Sequence, residues 1–229
     1  MKNIFLIFLI LFSIKISSQE YNKKTRYLIG TFHTQNTTIN GISLGAFPQF
    51  NDKSRFVKTN GIRLEIPGIG LLAPIGNGSP ISRTDSISGK FNRKDYEFDE
   101  IINGINISTG TVGDVNFNGI TIGAIAQFGT VNNGIAIAGV WNAMDKSNGI
   151  QISGLLNETL YSNGIQISIQ NSSLIMNGLQ IGGFNYGKEM YGIQIGIFNK
   201  SKKTKGIQIG IWNVNEKRKF PLINWNFKD

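Results

Sequence analysis

An all-β fold of stacked short repeats, a β-solenoid, is the class this sequence predicts. Three observations carry it. First, a phrase of the type Gly-Ile-Gln-Ile recurs, with its glycine at Gly41, Gly61, Gly104, Gly119, Gly134, Gly149, Gly164, Gly178, Gly192 and Gly206. Second, from Gly104 onward the intervals are 15, 15, 15, 15, 14, 14 and 14 residues, a fixed period of the kind repeat architectures write. Third, apolar and variable residues alternate within the phrase, as in Ile150-Gln151-Ile152, which is the period of a strand; nothing in it follows 3.6. These observations leave an alternative open: an antiparallel up-and-down β-barrel, including one set in an outer membrane.

Along the chain, residues 1–18 read as a cleaved secretory signal peptide. Met1-Lys2-Asn3 is a short basic start, Ile4 to Ile14 an apolar run broken by Ser13, and Ile16-Ser17-Ser18 offers small residues before Gln19. The run is shorter than the roughly 20 residues of a membrane-spanning helix. With no cysteine in the chain, a lipidated N-terminal cysteine and a disulfide framework are both excluded. Residues 19–75 hold divergent repeats, "NGISLGAF" and "NGIRLEIPGIG". Residues 76–100, with Gly, Ser, Pro and mixed charge, predict a loop or insertion. Residues 101–214 form the regular array, and 215–229, with Pro221 among aromatics, a C-terminal cap or a closing barrel strand.

Within a regular copy, Asn usually precedes the glycine and supports a turn that tolerates positive φ. A second Asn (Asn142, Asn157, Asn171, Asn185, Asn199, Asn213) closes the strand half, behind a mostly bulky apolar residue such as Trp141 or Phe198. The alternation loses phase after the second Ile, so the chain is expected to bend there. The change from 15 to 14 residues falls in the same half, where a bulge could absorb it. One such unit buries too little to order itself, and neighbours must stack on neighbours. The phase break, constant spacing and repeated Asn favour a solenoid; export without an anchor and Ile alternating with Gln, Gly and Ser suit a barrel. Stacking predicts that Ile152, Ile167, Ile181, Ile195 and Ile209 form one buried row. It also predicts that Gln151, Gln166, Gln180, Gln194 and Gln208 are stacked amides bonding one another.

The chemical inventory is thin. His33 is the sole histidine and reads as ordinary surface. Asp95, Glu97, Asp99 and Glu100 form the sharpest acidic group and could hold calcium, but Lys90, Arg93 and Lys94 beside them favour a solvated loop. No phosphate-loop pattern occurs. No catalytic, cofactor or metal site is predicted, and the chain reads as a non-enzyme. Formal charge is +9, or +7 once Lys2 and Lys15 leave with the signal. That suits an anionic cell-surface glycan or lipid headgroups, hence membrane association, more than nucleic acid, which is not expected. The candidate anionic-partner site is the basic end: Lys200, Lys202, Lys203, Lys205, Lys217, Arg218 and Lys219. Its plainer reading is edge protection against end-to-end strand pairing.

The tandem Gly-(Ile/Leu)-Gln-Ile-Gly-x-(Phe/Trp/Leu)-Asn units, best between Gly149 and Asn213, resemble the bacterial surface-repeat proteins of the leptospiral type. That resemblance implies a surface or outer-membrane location and no defined activity. The expected function is an exported, non-enzymatic surface scaffold; the alternative is an outer-membrane barrel, porin-like or structural.

Overall fold

The computed structural model describes residues 24–47, 55–72 and 98–227, so the signal-peptide reading and most of the 76–100 insertion lie outside the described residues. Strands β1 (Lys24–Thr31), β2 (Thr37–Gly45), β3 (Val57–Glu65) and β4 (Glu100–Ser108) are followed by a two-residue strand, β5 (Thr111–Val112). Then come β6 (Val115–Gly123), β7 (Ala126–Ala138), β8 (Trp141–Ser153), β9 (Leu156–Ile167), β10 (Gln170–Val214) and β11 (Lys219–Asn226). From β1 to β10 every pairing between strands is parallel. A chain that returns again and again to lie parallel on itself, every 14 or 15 residues from Gly104 onward, is a solenoid. The barrel is overturned, because a meander requires antiparallel neighbours and, among the described residues, the one antiparallel pair, β10 with β11, ends the stack.

Register follows the marker glycines. Gly41 pairs with Gly61, and the stack continues through Gly104, Gly119, Gly134, Gly149 and Gly164 to Gly178. Ten markers hold φ between +135° and +158°, a region that L side chains rarely enter. Glycine is required here on a second ground: a Cβ on Gly149 would overlap the carbonyl oxygen of Gly134, and so on along the stack. The chain does bend after the second Ile. In the 15-residue copies the corner, for example Gly154-Leu155, separates β8 from β9. In the 14-residue copies the corner comes one residue sooner: the first still breaks the strand at Ser168-Ile169, and β10 then runs through the corners at Gly182, Gly196 and Gly210 as a single 45-residue strand.

The direction of the side chains reverses the expectation. Two residues after each marker stand Ser43, Arg63, Asn106, Thr121, Ala136, Gln151, Gln166, Gln180, Gln194 and Gln208, and every one is 0% exposed. The isoleucines on either side point outward. Ile152, Ile167, Ile195 and Ile209 do form one row in register with Ile181, but at 37–40% exposure for those four it lies on the surface. The row is stacked; it is not the core. The interior is instead graded along the axis. Its first coils hold charged residues, its middle an apolar cluster of Ile102, Val115, Phe117, Ala136 and Met144, and its last coils amides with Leu160, Leu174, Met176 and Met190 among them.

Candidate functional site

Amide ladders line the solenoid. Inside, Gln208 donates to Gln194, Gln194 to Gln180, Gln180 to Gln166 and Gln166 to Gln151, at 2.7–3.0 Å. The corner asparagines run the other way, Asn142 donating to Asn157 and onward through Asn171, Asn185 and Asn199 to Asn213, at 2.7–3.1 Å. Each of the first five also donates to a backbone carbonyl ten residues on, such as Asn171 to Ile181 at 2.8 Å. A third ladder, Asn40 to Asn148 before the glycines, runs along the outside at 2.7–2.9 Å. The stacked-amide reading of the glutamines therefore holds. Within each ladder a buried amide is satisfied because its neighbour presents an identical group one strand spacing away; where the ladders end, Asn142 Oδ1 and Gln151 Nε2 are left without a partner, as is the amide of Gln127 outside them. They are structural and offer nothing to a ligand.

A buried ion network was not foreseen. Arg63 (0% exposed) grips Glu100 through Nε at 2.6 Å and an η-nitrogen at 3.2 Å, and reaches Glu65 at 2.9 Å and Asn106 at 3.0 Å. Arg55 pairs with the same Glu100, Ser108 and Thr111 donate to Glu65, and the Phe32 ring lies 4.0 Å under the Arg63 guanidinium. Burial works against the charge of Glu100, but Arg63 and then Arg55 outweigh it and hold the carboxyl below its usual range. Burial likewise opposes the Arg63 charge, and Glu100 with Glu65 raises its pKa above the ordinary value. Two arginines and two glutamates close on themselves in the interior of the first coils. The signal was present: Arg63 and Glu65 occupy the alternation positions that hold Gln and Ser in later copies.

Glu100 is thus not part of a solvated loop, as the acidic-group reading had it; it begins β4 and is 1% exposed. Asp99 accepts from the Arg55 backbone N–H at 3.3 Å, while Asp95 and Glu97 fall outside the described residues. Because the folded pKa of Glu100 is lowered, its contribution is present above the unfolded value of about 4.3 and is lost as pH falls through the lower folded one. Acidification should therefore raise amide exchange in β3 and β4 before it does so in β8 to β10. Glu100→Gln, which leaves two buried arginines short of charge, should cost about 3–5 kcal/mol at neutral pH in a denaturant melt and flatten this acid response.

Among the described residues, the outer face is a broad apolar surface that nothing covers. The residues one and three places after every marker are all Ile or Leu, from Ile42 and Leu44 to Ile207 and Ile209, twenty side chains in two straight columns. Ile42, Leu44, Ile62, Ile105, Ile107, Ile120, Ile122, Ile152, Ile167, Ile193, Ile195 and Ile209 are 36–42% exposed. Strand β11 extends both columns, Trp225 beside Ile207 and Ile223 beside Ile209, and turns Asn224 inward to donate to Gln208 at 3.1 Å. An open groove lined by Ile195, Ile197, Ile209, Ile211, Leu222 and Ile223 runs over the corner glycines at this end. Beside it Phe184 and Phe198 stack at 5.5 Å.

All seven residues of the basic end are exposed. Lys200, Lys202, Lys203 and Lys205 lie in the segment between the Asn199 corner and Gly206. Lys219 pairs with Val214, which the Asn199–Asn213 bond sets one coil beyond Lys200, so the two groups share one end of the stack. Arg218 is spent on the cap: it donates to Asn224 at 2.8 Å and lies 4.4 Å over the Trp225 ring. His33 is half-buried against the Phe32 ring, 4.8 Å between centroids.

Fold and surface together define a β-solenoid repeat protein whose interior mixes polar ladders and an ion network with apolar clusters, and whose outer face is apolar. No family model, curated protein or solved structure matches the chain.

Proposed function

We propose that the protein is an exported, non-enzymatic surface repeat protein that acts as a structural and interaction scaffold. One observation carries the reading: most interior polar groups are taken up by ladders and ion pairs, while no described residue covers the two Ile/Leu columns on the outside. Monomeric soluble proteins rarely leave more than a few hundred Å² of contiguous apolar surface bare, so a face of this extent is a contact surface. The leader-like residues 1–18 and the resemblance to leptospiral-type surface repeats support export to the cell surface or outer membrane. Expression in a Gram-negative host tests this. The expected result is a mature chain beginning at Gln19, in the envelope and open to protease in intact cells; a full-length chain in the cytosol defeats the proposal.

The exposed basic end favours a second contact, with an anionic surface polymer or headgroup. Such an attachment is screened over a Debye length of about 8 Å at physiological ionic strength. Changing Lys200, Lys202, Lys203 and Lys205 to Gln should weaken binding to anionic polysaccharide at low salt by about tenfold, and moderate salt should erase the difference. Equal binding by both proteins at low salt leaves those lysines as edge protection.

A further inference from the structure

We propose that the outer Ile/Leu face is a self-association surface, covered by the same face of a second copy of this chain. The inference deepens the scaffold reading by naming what its surface binds.

The chemistry of the strip selects the occupant. Its twenty Ile/Leu side chains carry no charge and no hydrogen-bonding group, so an identical face leaves none of them unpaired when it closes over them. In-register stacking makes the strip straight and regular, with side chains repeating every ~4.8 Å, which allows two such sheets to interdigitate at a face-to-face spacing of ~10 Å. The area suffices. Twenty Ile/Leu side chains, a dozen of them near two-fifths exposed, present on the order of 1,000 Å², against the ~800 Å² per partner of a standard stable interface. The ends complement each other as well. Tyr27, Leu28 and Ile29 stand 73%, 79% and 63% exposed at the first strand, and the apolar groove of Ile195, Ile197, Ile209, Ile211, Leu222 and Ile223 opens at the last. A two-fold axis parallel to the strands lays the first strand of each copy over the last coil of the other, as an isologous pair requires.

A lipid surface is the competing occupant, and the charge pattern argues against it. The strip is bordered along its length by the neutral ladder Asn40, Asn60, Asn103, Asn118, Asn133 and Asn148. On that border no cation appears until Lys205 at its far end, and Lys58 and Lys146 two residues further out are too sparse a row to meet a headgroup surface.

Sedimentation of the full chain without detergent tests the proposal. The expected mass is twice that of one chain, which is 25.2 kDa with residues 1–18 and correspondingly less without them. Ile107→Lys/Ile122→Lys, at two outward positions, should keep the wild-type circular dichroism and raise the dissociation constant at least ~100-fold. Should the lysines impair folding, Ile107→Thr/Ile122→Thr keeps strand-forming residues and should still raise it ~10-fold. A wild-type chain that is monomeric at high micromolar concentration overturns the proposal, as does a dimer that both variants retain. Flotation of a monomeric wild type, but not the variants, with zwitterionic phosphatidylcholine vesicles overturns it in favour of lipid. A monomer that is still exported defeats only the pairing; a dimer held in the cytosol defeats only export.

Discussion

Asn171→Asp is expected to abolish the cooperative melt of the C-terminal coils, a loss of about 4 kcal/mol or more in a denaturant titration. Asn171 is 0% exposed and uses both ends of its amide. Its nitrogen donates to the Ile181 carbonyl at 2.8 Å and to Asn185 at 2.9 Å; its oxygen accepts from Asn157 and Ser168, each at 3.0 Å. A carboxylate has no N–H, so two acceptors lose their donor and face a buried negative charge instead. Nearest-neighbour stacking spreads the damage, because each coil supports the one above it. Hydrogen exchange localised to β9 and β10 would distinguish this from global unfolding. A variant that melts like the wild type would show that the corner ladder contributes nothing.

Gly164→Ala should be nearly as damaging, about 3 kcal/mol, although it adds one methyl group. Two costs coincide there. The backbone is held at φ +145°, and the new Cβ would overlap the carbonyl oxygen of Gly149, a backbone atom that cannot rotate away. Gly187→Ala is the control. That glycine has no positive φ, and its Cβ would first meet Met190 at an ordinary 3.4 Å, so the substitution should change the melt by less than about 0.5 kcal/mol. Equal melts for the two variants would remove the marker glycines from the account of stability.

What the sequence determined by itself was the periodic skeleton. The Gly spacing specified the stack, since only a chain returning every 14 or 15 residues brings Gly149 to Gly164 and Asn157 to Asn171. The alternation specified strands, the lost phase specified the corner, and identical polar residues at one period specified ladders. The buried ion network was half legible, because Arg63 and Glu65 are visible in the alternation but Glu100 and Arg55 reach them only through the coiling of the chain. What only the tertiary structure decided was which of the two alternating sets faces the axis. A period of two assigns residues to two faces and does not say which is inside, and hydrophobicity alone argues for Ile. Gln166 goes inward because its amide finds Gln151, Gln180 and the Thr159 hydroxyl at 2.7–3.0 Å. Those partners exist only once the coils are stacked in register. With the amides satisfied inside, the isoleucines are left on the outer face, where burying them requires a partner the single chain does not contain.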